Sequence, residues 1–204
     1  MLRKVVLVLA VAVIGLLGVV ATRPDRYHVE RAVDVGAPAA AVFAEIDDLR
    51  AWNTWSPWEK RDPAMKKTFS ATTAGVGASY AWEGNKEVGK GRMIITESRP
   101  GERVAQKLEF IEPFTSTADI AFALKAAGPS STHVTWSMDG RNNFIGKAFS
   151  LVMDVDKMIG KDFETGLASL KQVVEAKAVA AAAAAPPAPP VPPALGAPAP
   201  GGTK

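Results

Sequence analysis

The chain of 204 residues has no cysteine, only two histidines and two tyrosines, and no charged side chain between Val5 and Ala21. Without cysteine there is no disulfide framework, no thiol nucleophile and no cysteine-ligated zinc or iron–sulfur centre. His28 opens a predicted strand and His133 falls on the polar phase of a late one. Both are therefore expected at the surface rather than as a buried general base. No Gly-x-Ser-x-Gly elbow, Walker loop or dinucleotide glycine fingerprint occurs, and the paired glycines of "GVGASY" and "GKGRM" read as hairpin turns. Asp154 with Asp156, and Asp162 with Glu164, are spaced two residues apart, which points each pair to different sides of a helix. No catalytic residue, metal site or cofactor is implied. Lys and Arg number 24 against 21 acids, a net charge of +3, and the signs are interspersed rather than gathered into a stripe. Nucleic-acid binding is not supported.

What is present begins at the N-terminus. Arg3 and Lys4 precede "VVLVLAVAVIGLLGVVA", Val5 to Ala21, which as a helix spans roughly 26 Å, enough to cross a bilayer core. Residues 1–24 are read as a single-pass membrane anchor, with a secretory signal cleaved before Thr22 as the alternative, since Val19 and Ala21 satisfy a small-residue rule. The basic residues ahead of the run place its N-terminus inside and the following domain on the exported, periplasmic or extracellular, side of the cell membrane. At the other end, residues 178–204 are alanines that can extend a helix, followed by prolines that forbid one from Pro186 onward. This Ala/Pro-rich segment reads as a disordered linker or tail.

Residues 25–177 have the length of one domain with one core. "YHVERAVDVGA" alternates, with Val29, Arg31, Val33 and Val35 in one phase, and Arg31 is either an inward partner for a ligand carboxylate or a solvated strand position. "APAAAVFAEIDDLRAWNTW" then turns helical from Pro38. Five short segments follow, "ASYAWEG", "GKGRMIITESR", "ERVAQKLEFIE", "STADIAFALKA" and "STHVTWSMDG", whose turn punctuation predicts an antiparallel meander. Val104, Gln106, Leu108 and Phe110 share one face, as do Ala118, Ile120, Phe122 and Leu124, and Val134, Trp136 and Met138. From Gly146 to Ala176, apolar residues including Val152, Val155, Ile159, Phe163, Gly166 and Leu170 recur at three and four residues, predicting one long amphipathic helix to cover that face. Gly166 on the stripe is expected to let the helix backbone approach the sheet closely.

This order of elements, with "DVGAPAAAVFAEIDDLRAWNTWSPWEKRDPAM", "GVGASYAWEGN", "GKGRMIITE" and "VTWSMDGRNNFIGKAFSLVMDVDKMIGKDFETGLASLK", resembles the polyketide cyclase/dehydrase and lipid-transport family of the START-like helix-grip (SRPBCC) superfamily. The resemblance covers about Tyr27 to Ala176 and implies an α+β helix-grip fold, a curved antiparallel sheet wrapped around a long C-terminal helix. It also implies an apolar cavity between the two that takes a hydrophobic small molecule or lipid. A cyclase-like enzyme with a shaped polar cavity is one alternative. A protein-interaction module with a collapsed cavity, like the superfamily's regulators of chaperone ATPases, is another.

On that basis the expected ligand-binding residues are Trp55, Trp82, Gln106, Leu108, Phe122 and Trp136, facing Val152, Val155 and Ile159. Tyr80 shares the strand phase of Trp82, and Met153 and Met158 offer adaptable apolar wall. Gln106 lies among apolar neighbours, so it either sits at a solvated strand end or needs an internal polar partner. Three tryptophans crowd "AWNTWSPWEK". Trp52 and Trp55 are expected to plug the end of the core, with Trp58 farther out, while a cavity rim and a lipid-interface contact remain alternatives for the cluster. The domain is expected to be a monomer.

Overall fold

The computed structural model describes residues 1–184. Seven strands form one sheet in the order β1-β7-β6-β5-β4-β3-β2, antiparallel throughout. They are β1 (Arg26–Val35), β2 (Lys66–Phe69), β3 (Ser79–Glu83), β4 (Lys90–Arg99), β5 (Arg103–Glu112), β6 (Ser116–Gly128) and β7 (Ser131–Arg141). The helices are α1 (Leu2–Ala21), α2 (Ala39–Asp47), α3 (Pro57–Arg61), α4 (Phe144–Phe149) and α5 (Val155–Ala184), with a 3₁₀ turn at Ala51–Thr54. The sheet curves around α5, which packs along β1. This is the helix-grip arrangement that the resemblance implies.

Alternation sets the faces. Val104, Gln106, Ile120, Phe122, Val134, Trp136 and Met138 are buried, while their neighbours in the opposite phase reach solvent or are half-buried. Between Ile95 and Glu97 the register of β4 against β5 slips by one residue, and the bulge increases local twist in a sheet that must wrap a helix.

Helix α5 turns Phe163, Leu167, Leu170 and Val174 into the core. Each fully buried apolar side chain contributes about 1.5–3 kcal/mol. Gly160 and Gly166 lie on the same buried face, and each makes room for a large side chain. A Cβ at Gly160 would stand 2.0 Å from a guanidinium nitrogen of Arg31, and one at Gly166 would stand 2.7 Å from Cζ3 of Trp136. The close approach expected at Gly166 is made to the sheet.

The closing helix does not run unbroken from Gly146. Asn143 caps α4 by accepting from the Gly146 N–H at 2.8 Å, and Asp154 caps α5 by accepting from the Lys157 N–H at 3.1 Å. Residues 150–154 between them are not helical. The apolar spacing carries on through Val152, but that residue is 82% exposed and takes no part in the core. A strand absent from the sequence reading, β2, adds an edge to β3. It has four residues, "KKTF", too few to establish a period.

Arg31 keeps the phase of the valines but not their burial. Its guanidinium crosses the sheet edge to α5 and donates to both carboxylate oxygens of Asp156 at 3.0 Å and to Glu164 Oε1 at 2.8 Å. It is thus tied to protein carboxylates rather than aimed at a ligand. Helix α5 also passes the expected boundary at residue 177, with Ala178 packed on the core. Most of the expected 178–204 tail, residues 185–204, lies outside the described residues.

Candidate functional site

Between the inner face of the sheet and the first turns of α5 lies a cavity of about 320 Å³. Its far wall is Trp82 on β3, Met93 on β4, Leu108 and Phe110 on β5, and Ile120 on β6. Met158, Ile159 and Phe163 of α5 face them, and Trp52 and Trp58 close the side formed by the short helices.

Trp136 of β7 is the centre of this wall. It stacks on Phe163 at 4.1 Å between ring centroids and on Phe122 at 4.7 Å, while Trp52, Trp55 and Trp58 meet it edge-on at 6.1, 5.7 and 5.8 Å. Edge-to-face and offset contacts of this kind add about 0.5–1.5 kcal/mol each beyond buried area. The indole N–H of Trp52 donates to the Ile46 carbonyl at 2.9 Å and that of Trp55 to the Glu45 carbonyl at 3.1 Å. These two tryptophans therefore plug the core end with their polar atoms satisfied by α2. Trp58 is half-buried and lines the cavity.

The "WEKRDPAM" turn holds the mouth. Pro57 occupies the first turn of α3, where its missing N–H costs nothing. Buried Asp62 accepts from the backbone N–H groups of Ala64 and Asn85, at 3.1 and 2.6 Å, which ties this turn to the loop between β3 and β4. Trp82 donates to the Val88 carbonyl at 3.0 Å and fixes the other side of that loop.

Of the charged residues that line the site, Glu59, Arg61 and Asp162 are paired at its rim and Glu87 is exposed. Arg61 is bonded to Asp162, and Lys67 to Glu59 at 2.5 Å. Burial, with the Glu59 carboxylate nearby, pushes the Tyr80 phenol up, so it stays protonated at neutral pH. Two groups on the inner face are buried without a protein partner among the described residues. These are the Trp136 Nε1 donor, whose residue lines the cavity, and both amide atoms of Gln106, which sits between Ile95 and Ile120 and does not line it. Both histidines stay on the outer face, His28 bonded to Asp139 at 2.8 Å and His133 to Asp34 at 2.7 Å. Neither points at the cavity wall.

Of the residues expected to bind ligand, Trp82, Leu108, Trp136 and Ile159 line the cavity together. Trp55 and Phe122 are buried one layer behind, packed on Trp136. Val152 and Val155 are outside it. Val152 is exposed in the α4–α5 connection, and Val155 starts α5 beside Arg23 and Arg26, because the helix begins nine residues later than its spacing suggests. The sequence reading left out Met93 and Phe163 as wall residues, although Phe163 carried the same helical period as Ile159, and held Trp58 at the cavity only as an alternative.

A family model described as polyketide cyclase/dehydrase and lipid transport matches residues 26–175. No curated protein matches significantly. Among solved structures, a START superfamily protein from Mycobacterium smegmatis aligns with a TM-score of 0.52 and 17% identity, over 74% of this chain and 98% of that one. A protein from Thermobifida fusca aligns at 0.54 and 21% identity, over 72% and 92%. The Aha1 dimer from Colwellia psychrerythraea aligns at 0.52 and 15% identity, over 73% and 96%. At such identities these likenesses establish a common START-like fold.

Proposed function

The chain belongs to the polyketide cyclase/dehydrase and lipid-transport family, and we propose that it is a membrane-tethered receptor that binds a hydrophobic small molecule or lipid without transforming it. The observation that carries this reading is the cavity between the sheet and α5. Its wall is mainly aromatic, aliphatic and thioether, and of the charged residues on it Arg61 and Asp162 are paired with each other and Glu59 with Lys67. Small-molecule sites of this type combine apolar walls with a few polar groups that orient the ligand, over about 300–1,000 Å³. A cavity of about 320 Å³ fits a single acyl chain or a one- to two-ring molecule better than a two-chain lipid. Burial of apolar ligand surface supplies affinity at about 25 cal/mol per Å².

The tether is α1, 20 residues long, whose most apolar 18-residue stretch has a mean hydropathy of 2.8 and of which only Val20 is buried. Arg3 and Lys4 before the apolar run favour an inside N-terminus and an exported domain. In this reading the chain acts as a monomer.

Carbonate-washed membranes followed by native mass spectrometry of the gently solubilised full chain test both parts. The chain is expected to stay with the membrane and to carry a low-mass apolar adduct. A soluble chain starting at Thr22 would overturn the tether. A tethered chain that arrives empty and ignores added fatty acid would overturn the receptor and leave an interaction module. Chemical conversion of the adduct would favour a cyclase-like enzyme.

A further inference from the structure

Helix α4 and the chain after it expose an unusual run of large apolar side chains. Phe144 is 51% exposed, Ile145 54%, Phe149 49% and Val152 82%. A six-residue helix followed by a non-helical connection buries no residue of its own, so the burial of apolar surface that stabilises α5 does not hold this segment.

Its location says what covers it. Val20, the one buried residue of α1, lies where α1 contacts α4. Lys147 of α4 donates to the Ala21 carbonyl at 3.4 Å and pairs with Asp25, and Asn142 binds the carbonyls of Pro24 and Asp25 at 3.3 and 2.9 Å. The end of the apolar helix is thus pinned to α4 rather than joined by a loose linker. Arg23, Arg26 and Arg141 are exposed around this junction, with Asp25 and Asp154 as the acids beside them. The balance suits lipid headgroups.

Strand register places the cavity mouth at the same end of the domain. Arg26 opens β1 opposite Arg141, Ser116 opens β6 opposite Phe110, and Lys90 opens β4 opposite both Glu112 and Glu83. One end of the sheet therefore carries the junction with α1, the β5–β6 hairpin with Phe114 at its tip, and the β3–β4 loop. That loop supplies Glu87 and Val88 to the cavity, and the first turn of α5 supplies Met158, which is 49% exposed.

We propose that this end rests in the interface of the bilayer that α1 crosses, with the α4 patch and Phe114 among the headgroups, so that the cavity opens onto lipid and draws a single-chain amphiphile directly from the membrane. The inference rests on α1 being a membrane span. The apolar patch inserts as the apolar face of an interfacial helix does, and the flanking arginines stay at headgroup depth. A ligand leaving the bilayer through a mouth in contact with it never crosses bulk water.

Because the chain lacks cysteine, spin labels can be placed singly in the full-length protein in proteoliposomes. Val152→Cys and Phe114→Cys report the proposed interface. Val11→Cys reports the span, and Lys125→Cys reports the opposite end of the sheet. All four side chains are exposed, so folding is not at risk. Oxygen collides with labels in lipid and a soluble nickel chelate with labels in water. The oxygen-to-nickel ratio at 152 and 114 is expected to be several-fold above that at 125 and to approach that at 11. A high ratio at 11 with water-like values at 152 and 114 would overturn the inference while the tether stands. Low access to both reagents at 152, the mark of a contact with a second protein surface, would also overturn it. A water-like value at 11 would remove the tether and this inference with it.

Discussion

Trp136 on β7 and Phe163 on α5 lie face to face, ring centroids 4.1 Å apart and planes 7° from parallel. This stack joins the sheet to the helix that it grips and forms part of the cavity wall. Beneath it, Gly166 leaves just enough room for the indole edge, with Pro57 on the other side.

Gly166→Ala should therefore destabilise the protein even though alanine is the better helix former. The added Cβ would lie 2.7 Å from Trp136 and 3.1 Å from Pro57. Neither a stacked ring nor a proline gives way easily. Overpacking costs about 1–3 kcal/mol, against about 1 kcal/mol gained in helix propensity. Urea unfolding is expected to move to lower midpoints. A more stable variant would mean that Trp136 has room to move.

Much of the sheet's inner face was legible in the sequence, because strand alternation alone sets Leu108, Phe122 and Trp136 on one face and fixes which residues are wet. The tryptophan pair Trp52 and Trp55 was likewise recognisable as a core plug. What was not legible depends on contacts distant in sequence or on the limits of periodicity. Arg31 shares its phase with valines, and its partners Asp156 and Glu164 lie more than a hundred positions away. Val152 fits a helical stripe, yet periodicity reports only that a segment is amphipathic and not what its apolar side meets. Here two N-capping side chains, Asn143 and Asp154, start two separate helices where the spacing suggests one. Trp58 was placed too far out because its charged neighbours suggested solvent, whereas α3 turns its ring edge onto Trp136.

Gln106→Met is expected to stabilise the fold. Gln106 is 1% exposed and neither amide atom has a protein partner among the described residues, and a buried unsatisfied polar group costs about 1–3 kcal/mol. Methionine has a similar shape without that cost. The unfolding free energy should rise by about that amount. A fall would show that the amide is engaged by an internal water or by ligand.

The Arg31 clasp gives stability a definite pH dependence. Hydrogen bonding to Arg31 holds the Asp156 carboxyl below its usual range. A carboxylate whose pKa is depressed on folding adds stability above its unfolded pKa of about 3.9, and that stability is lost as pH falls through the folded value. Asp156→Asn should therefore unfold earlier than the parent at neutral pH. The difference should close progressively below about pH 4. A difference that persists unchanged in acid would mean that the clasp does not depend on the Asp156 charge.

The most direct test of the receptor is to fill the cavity and ask whether the ligand is lost while the fold is kept. Leu108 lines the cavity from β5 and is half-buried, so Leu108→Trp extends into open space and should avoid the roughly 1–3 kcal/mol strain of overpacking a closed core. The measurement is photocrosslinking of a diazirine fatty acid to the full chain in membranes, mapped by peptide mass spectrometry, with thermal unfolding of the same samples. In the parent, crosslinks are expected at Met93, Ile120 and Phe163 as well as along α1. In Leu108→Trp the cavity crosslinks should disappear, those on α1 should remain, and the melting temperature should hold. Crosslinks confined to α1 in the parent, or a marked loss of stability in Leu108→Trp with cavity labelling unchanged, would contradict the account.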